Sequence, residues 1–164
     1  MINLAKHWKL VTAIGGVLLA LVSGGIGYIA NDYFSFRAEE RSELRREYFE
    51  AQTAAQKVLA DLQQFSDQAT GRRTVTDSEK ETLRRNVRAL YLDTKQVAEK
   101  VPEVGSEFEE YAAAMVDLQN AALEMTGPAD AKPFVENLNR FLNAQNAFDS
   151  KVQSVQQDYL GSWL

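Results

Sequence analysis

The chain has 164 residues, 45% hydrophobic and 25% charged side chains, and a formal net charge of −5, the composition of a folded globular protein. It has no cysteine and a single histidine, His7. Disulfides, thiolate metal sites and cysteine nucleophiles are therefore excluded, as is nearly every histidine-based catalytic or metal constellation.

Residues 1–9 form a short tail carrying Lys6, His7, Trp8 and Lys9 and no acid. Residues 10–30 read LVTAIGGVLLALVSGGIGYIA and contain no charged side chain. As a helix they extend about 31 Å, the thickness of a bilayer's hydrocarbon core. Trp8 before the run and Tyr33 and Phe34 after it are placed as interface markers, since aromatic rings favour the headgroup level. The competing reading is a cleaved signal peptide, but the run exceeds the usual h-region of about 7–15 residues. A single-pass signal-anchor is therefore predicted. An acid-free tail kept on the cytoplasmic side leaves the remainder on the periplasmic or extracellular side of a bacterial-type inner membrane.

Within the run, Gly16, Ala20 and Gly24 recur every four residues, with Ser23 and Gly27 on an adjacent strip. Small residues at this spacing let two helix backbones approach closely, which drives association in lipid. The expected partners are membrane lipid and a partner helix, either of another membrane protein or of a second copy.

Beyond the run, 16 basic face 23 acidic side chains, a net charge of −7. Residues 31–43 are charge-dense and lack an apolar seam, as expected of a juxtamembrane helical stalk. A seam then begins: Leu44, Tyr48, Ala51, Ala55, Val58, Leu62, Phe65 and Ala69 alternate at spacings of four and three. This repeat of about 3.5 residues marks coiled-coil-like helices packed at shallow angles. Thr70 and Gly71 end the first helix, and Thr76 with Glu79 forms a capping box for the second. The second seam is Leu83, Val87, Leu90, Thr94, Val97 and Val101, broken by Pro102 and Gly105. Ser106 and Glu109 repeat the capping-box pattern before a third seam of Phe108, Tyr111, Met115, Leu118, Ala122 and Met125. Thr126-Gly127-Pro128 stops that helix, and the fourth begins between Asp130 and Pro133. Its seam is Phe134, Leu138, Phe141, Gln145, Phe148, Val152, Val155 and Tyr159.

The predicted fold is all-α: one N-terminal transmembrane helix, then an antiparallel up-down-up-down four-helix bundle over residues 44–160. Helix lengths of about 38, 25, 23 and 30 residues follow from the seams and breaks. Antiparallel counting puts residue 131 opposite about 69 and Leu160 opposite about 40. That returns the apolar tail, residues 161–164, to the membrane side, where Trp163 is expected at the interface.

The bundle segment contains no histidine, so a di-iron site built from Glu-x-x-His pairs is excluded. Neither a phosphate-binding Gly-x-x-x-x-Gly-Lys loop nor a Gly-x-Ser-x-Gly elbow occurs. No cofactor and no enzymatic activity are expected. Residues 72–88 hold six basic and three acidic side chains, and Arg72, Arg73, Lys80, Arg84 and Arg88 form a candidate patch for an anion or an acidic partner. Residues 99–124 carry seven acids against Lys100, which argues against nucleic acid as a ligand.

These features predict a non-catalytic interaction scaffold or accessory subunit of a membrane or envelope complex. A membrane-proximal four-helix bundle also resembles, in architecture, the ligand-binding domains of bacterial chemoreceptors, which would imply sensing through a membrane partner. The layout of anchor plus helical domain is similar to phage spanin-type lysis components as well.

Overall fold

A computed structural model describes the backbone of residues 38–161 and the side chains of residues 44–157. Four α-helices make up nearly all of it: α1 (Ala38–Ala69), α2 (Asp77–Lys100), α3 (Gly105–Glu124) and α4 (Ala131–Gly161). No strand occurs among the described residues. Short 3-10 turns, Pro102–Val104 and Pro128–Asp130, precede α3 and α4.

The seams form the core. Among their described side chains only Leu44 is partly exposed; the others are buried, with Val58, Leu62, Phe65, Leu83, Val97, Ala122, Phe134, Phe141 and Val152 fully enclosed. Two polar seam residues are buried with them, Thr94 and Gln145. Thr94 is satisfied within its own helix, its hydroxyl donating to the Leu90 carbonyl at 2.6 Å. Met115 and Met125 are each 1% exposed, packing groups in an apolar interior.

Side-chain pairs give the helix directions. Asn86 meets Asp61 and Lys100 meets Glu47, so α2 runs antiparallel to α1. Asp117 meets Arg140 while Tyr111 packs on Phe148, which makes α3 and α4 antiparallel. Tyr48 bonds Asp149 at one level of the α1–α4 pair, and at the opposite end of α1 Gln68 reaches the carbonyl of Met125, the C-cap of α3. Residue 48 facing 149 lies within a turn of the register expected from counting. The described ends, Ala38 and Gly161, thus share one pole of the bundle.

The connection out of α1 has a defined stop. The Gly71 amide donates to the Gln68 carbonyl and the Arg72 amide to the Asp67 carbonyl, the paired bonds of a Schellman motif. Gly71 holds φ at +74°, where an added Cβ would also meet Pro128 Cγ at 3.2 Å; the glycine therefore ends α1 and seats the α3–α4 connection. The helix-start signals have different outcomes. Thr76 caps α2 as expected, accepting from the Glu79 amide while the Glu79 carboxylate accepts from the Thr76 amide. Ser106 does not cap α3: the Pro102–Val104 turn runs directly into a helix starting at Gly105, with Val104 at the N-cap. Inside the first turn, the Ser106 hydroxyl instead donates to Glu107 Oε2 at 2.7 Å.

No helix among the described residues is long and apolar enough to cross a membrane. The predicted span 10–30, its strip of Gly16, Ala20, Ser23, Gly24 and Gly27, most of the stalk and the interface residues Trp8, Tyr33, Phe34 and Trp163 lie outside the described residues.

Candidate interaction surface

The five basic residues of the candidate patch divide into two groups. Arg72 and Arg73 sit in the α1–α2 connection, where Arg72 pairs with Asp67 at 3.7 Å and Arg73 with Glu79. Glu79 is the capping-box residue of α2, and its bonds from the Thr76 backbone and side chain, then from Arg73, hold its carboxyl below the usual range. These arginines are engaged in closing the turn.

Lys80, Arg84 and Arg88 lie on α2 itself. Two contacts orient that helix. Asn86 Nδ2 donates to Asp61 Oδ2 at 2.7 Å, so one edge faces α1. The Tyr91 ring lies 5.7 Å from that of Phe108, so the opposite edge faces α3. At about 100° per residue, positions 80, 84, 88, 91 and 95 fall on this second edge, with Asp77 at its start. Arg84 pairs with Glu81 at 3.1 Å and Lys95 with Glu99 at 3.5 Å, both within α2. Neither Lys80 nor Arg88 forms an ion pair among the described residues.

On the facing edge of α3, Glu109 is the acid nearest the Tyr91 level, exposed and in no ion pair with Lys80 or Arg88. Asp117 is turned to α4 by Arg140, and Glu107 feels Lys151 of α4. By the same rotation, Ala112, Val116, Gln119 and Leu123 follow Phe108 along the α2 side. Val116 is 53% exposed and Tyr91 37%, with Leu92 (47%) on the outer flank of the basic column. The helices α2 and α3 approach less closely than the α1–α2 and α3–α4 pairs. The strip between these two edges, the α2–α3 groove, carries the basic column of α2 beside the partly exposed Tyr91 and Val116.

A second polar feature occupies the half of the bundle nearer Ala38 and Gly161. The Tyr48 hydroxyl donates to Asp149 Oδ1 at 3.0 Å, and Gln52 Nε2 donates to the same oxygen at 2.6 Å and to the Tyr48 hydroxyl at 3.1 Å. Burial raises Asp149 above the ordinary carboxylate range, against the lowering effect of the Gln52 and Tyr48 bonds. Burial and then the Asp149 charge push the Tyr48 phenol up. Across the core, the Tyr111 ring packs on Phe141 and Phe148, at 5.3 and 5.9 Å. Its hydroxyl, like Gln145 Oε1, is buried without a hydrogen-bond partner. Burial, followed by Asp149 and Tyr48, raises Tyr111 as well.

Composition and period alone did not single out this layer. Tyr48 and Tyr111 read as seam aromatics, yet a buried tyrosine hydroxyl ordinarily finds a partner. Asp149, beside the seam residue Phe148, was the available signal.

Because Asp149 has a raised pKa in the fold, the native state binds more protons than the unfolded chain between the two values. Its contribution is fully present below the ordinary value of about 3.9 and is lost as pH rises through the folded value. Asp149→Asn keeps an oxygen acceptor for Tyr48 and Gln52 without the buried charge. The variant is expected to match the parent near pH 3 and to become progressively more stable than it towards pH 7. Paired thermal melts across that range check the sign; a parent that gains on the variant with rising pH would show the hydrogen bonds outweighing burial.

No group of three His, Asp or Glu residues among the described residues is arranged to hold a metal ion. Compared with family models, curated proteins and solved structures, the chain matches none.

Proposed function

We propose that the protein is a single-pass, membrane-anchored interaction module, a non-catalytic scaffold or accessory subunit of a membrane or envelope complex. The observation that carries this reading is the uncharged run of residues 10–30, one bilayer long as a helix, with seven residues between it and the start of α1. The run localises the chain, its small-residue strip docks a partner helix or a second copy, and the antiparallel bundle presents a rigid surface outside the cytoplasm. The groove between α2 and α3 supports an interaction role, since exposed apolar side chains there accompany cations that the fold does not neutralise.

Membrane fractionation of the full chain tests the anchor. The protein should stay with the membrane pellet through alkaline carbonate extraction, whereas Leu18→Arg with Leu21→Arg should release it. Because the chain has no cysteine, Glu124→Cys offers a unique thiol for topology, expected to react with an impermeant maleimide on spheroplasts. Release of the parent protein by carbonate would overturn the anchor; a thiol labelled only after lysis would reverse the orientation.

A further inference from the structure

We propose that the α2–α3 groove docks an acidic amphipathic helix of a partner protein. Lys80, Arg84 and Arg88 stand one turn apart along its wall, and Tyr91 and Val116 give it apolar contact area. From Lys80 to Tyr91 the wall is about 16 Å long, three turns of helix. Glutamates four residues apart on an incoming helix repeat at the same interval of about 6 Å. Aliphatic side chains on its adjoining stripe would cover Val116 and Tyr91.

The surroundings favour a narrow occupant over a broad one. Glu109, Glu110 and Glu124 of α3 are exposed, so an extended anionic surface, a bilayer or a duplex, would meet repulsion while meeting the cations. A single helix set between α2 and α3 avoids Glu110 and Glu124 and meets only Glu109, at the Tyr91 end of the strip. The existing Arg84–Glu81 pair is no obstacle, because both side chains are largely exposed and such pairs contribute little. Such docking rests on the reading of the bundle as an interaction module, and it holds whether or not residues 10–30 cross a bilayer.

The probe is a fluorescein-labelled, helix-stapled 15-residue peptide with Glu at every fourth position and Leu on the neighbouring stripe. A matched peptide carries Lys in place of Glu. Fluorescence anisotropy with the full chain in zwitterionic nanodiscs should show saturable binding of the Glu peptide alone, weakening steeply with salt. Arg88→Glu should weaken it about fivefold, the scale of one lost ion pair, and adding Lys80→Glu should weaken it again. Arg85→Glu, the same charge change on an exposed position of α2 outside the Tyr91 edge, should leave affinity within twofold, with circular dichroism confirming that each variant keeps its helicity. Absence of binding, equal binding of the Lys peptide, or equal loss in Arg85→Glu and Arg88→Glu would overturn the docking site. So would capture of phosphatidylglycerol vesicles through the same residues in preference to the peptide. Carbonate extraction is read separately, so failure of docking and failure of the anchor are distinct results.

Discussion

Phe141→Ala will lower the unfolding free energy of the bundle by about 3–5 kcal/mol, the range for truncating an enclosed phenylalanine. Phe141 has no exposed surface, and its ring is one of two against which Tyr111 packs. Truncation removes apolar contact and leaves a void beside a tyrosine whose hydroxyl is already without a partner. Since domains of this size are stable by only about 5–15 kcal/mol, the loss is a large share of the whole. Urea unfolding followed by circular dichroism should show a lower midpoint at an unchanged slope. A loss below about 1 kcal/mol would mean the site refills, or that Phe141 is not enclosed in solution.

Gln68→Met comes next, at roughly 2–4 kcal/mol for two buried backbone groups left without partners. Gln68 is 3% exposed. Its Nε2 donates to the Met125 carbonyl and its Oε1 accepts from the Val75 amide, each at 2.5 Å. One side chain thereby pins both connections at the pole away from Ala38 and Gly161. Methionine keeps the length and approximate volume, so the change isolates the hydrogen bonds from the packing. Faster amide exchange at Val75 should accompany the loss of stability, and an unchanged exchange rate would show the bridge to be dispensable.

The period of the apolar residues was sufficient to find the helices and their inward faces, including polar Thr94 and Gln145, because burial in a bundle follows rotation about the helix axis before it follows chemistry. Thr76 and Glu79 were readable as a cap because both partners are local. Ser106 and Glu109 present the same capping-box pattern, but a 3-10 turn feeding straight into α3 puts Val104 at the N-cap and Ser106 inside the first turn. The partners of Gln68 and Asp149 were not legible: each residue lies off the seam, and it bonds atoms 57 and 101 residues away. The basic patch was visible as composition. Its division into turn-closing Arg72 and Arg73 and groove-lining Lys80, Arg84 and Arg88 required the orientation of α2, which Asn86 and Tyr91 supply.

The bond between Tyr48 and Asp149 also bears on how the chain assembles. Each helical hairpin, α1–α2 and α3–α4, joins partners close in sequence through a short connection, and contacts of that kind form early and fast. Closing α1 onto α4 instead brings together residues 101 positions apart, at the cost of a long loop. All three sequence-adjacent pairs have short connections, so the topology leaves the α1–α4 edge as the pair with the largest loop to close. Opening along that edge would leave the sequence-adjacent pairs in place. A tyrosine, an aspartate and a glutamine guard that edge, at the pole that holds Ala38 and Gly161.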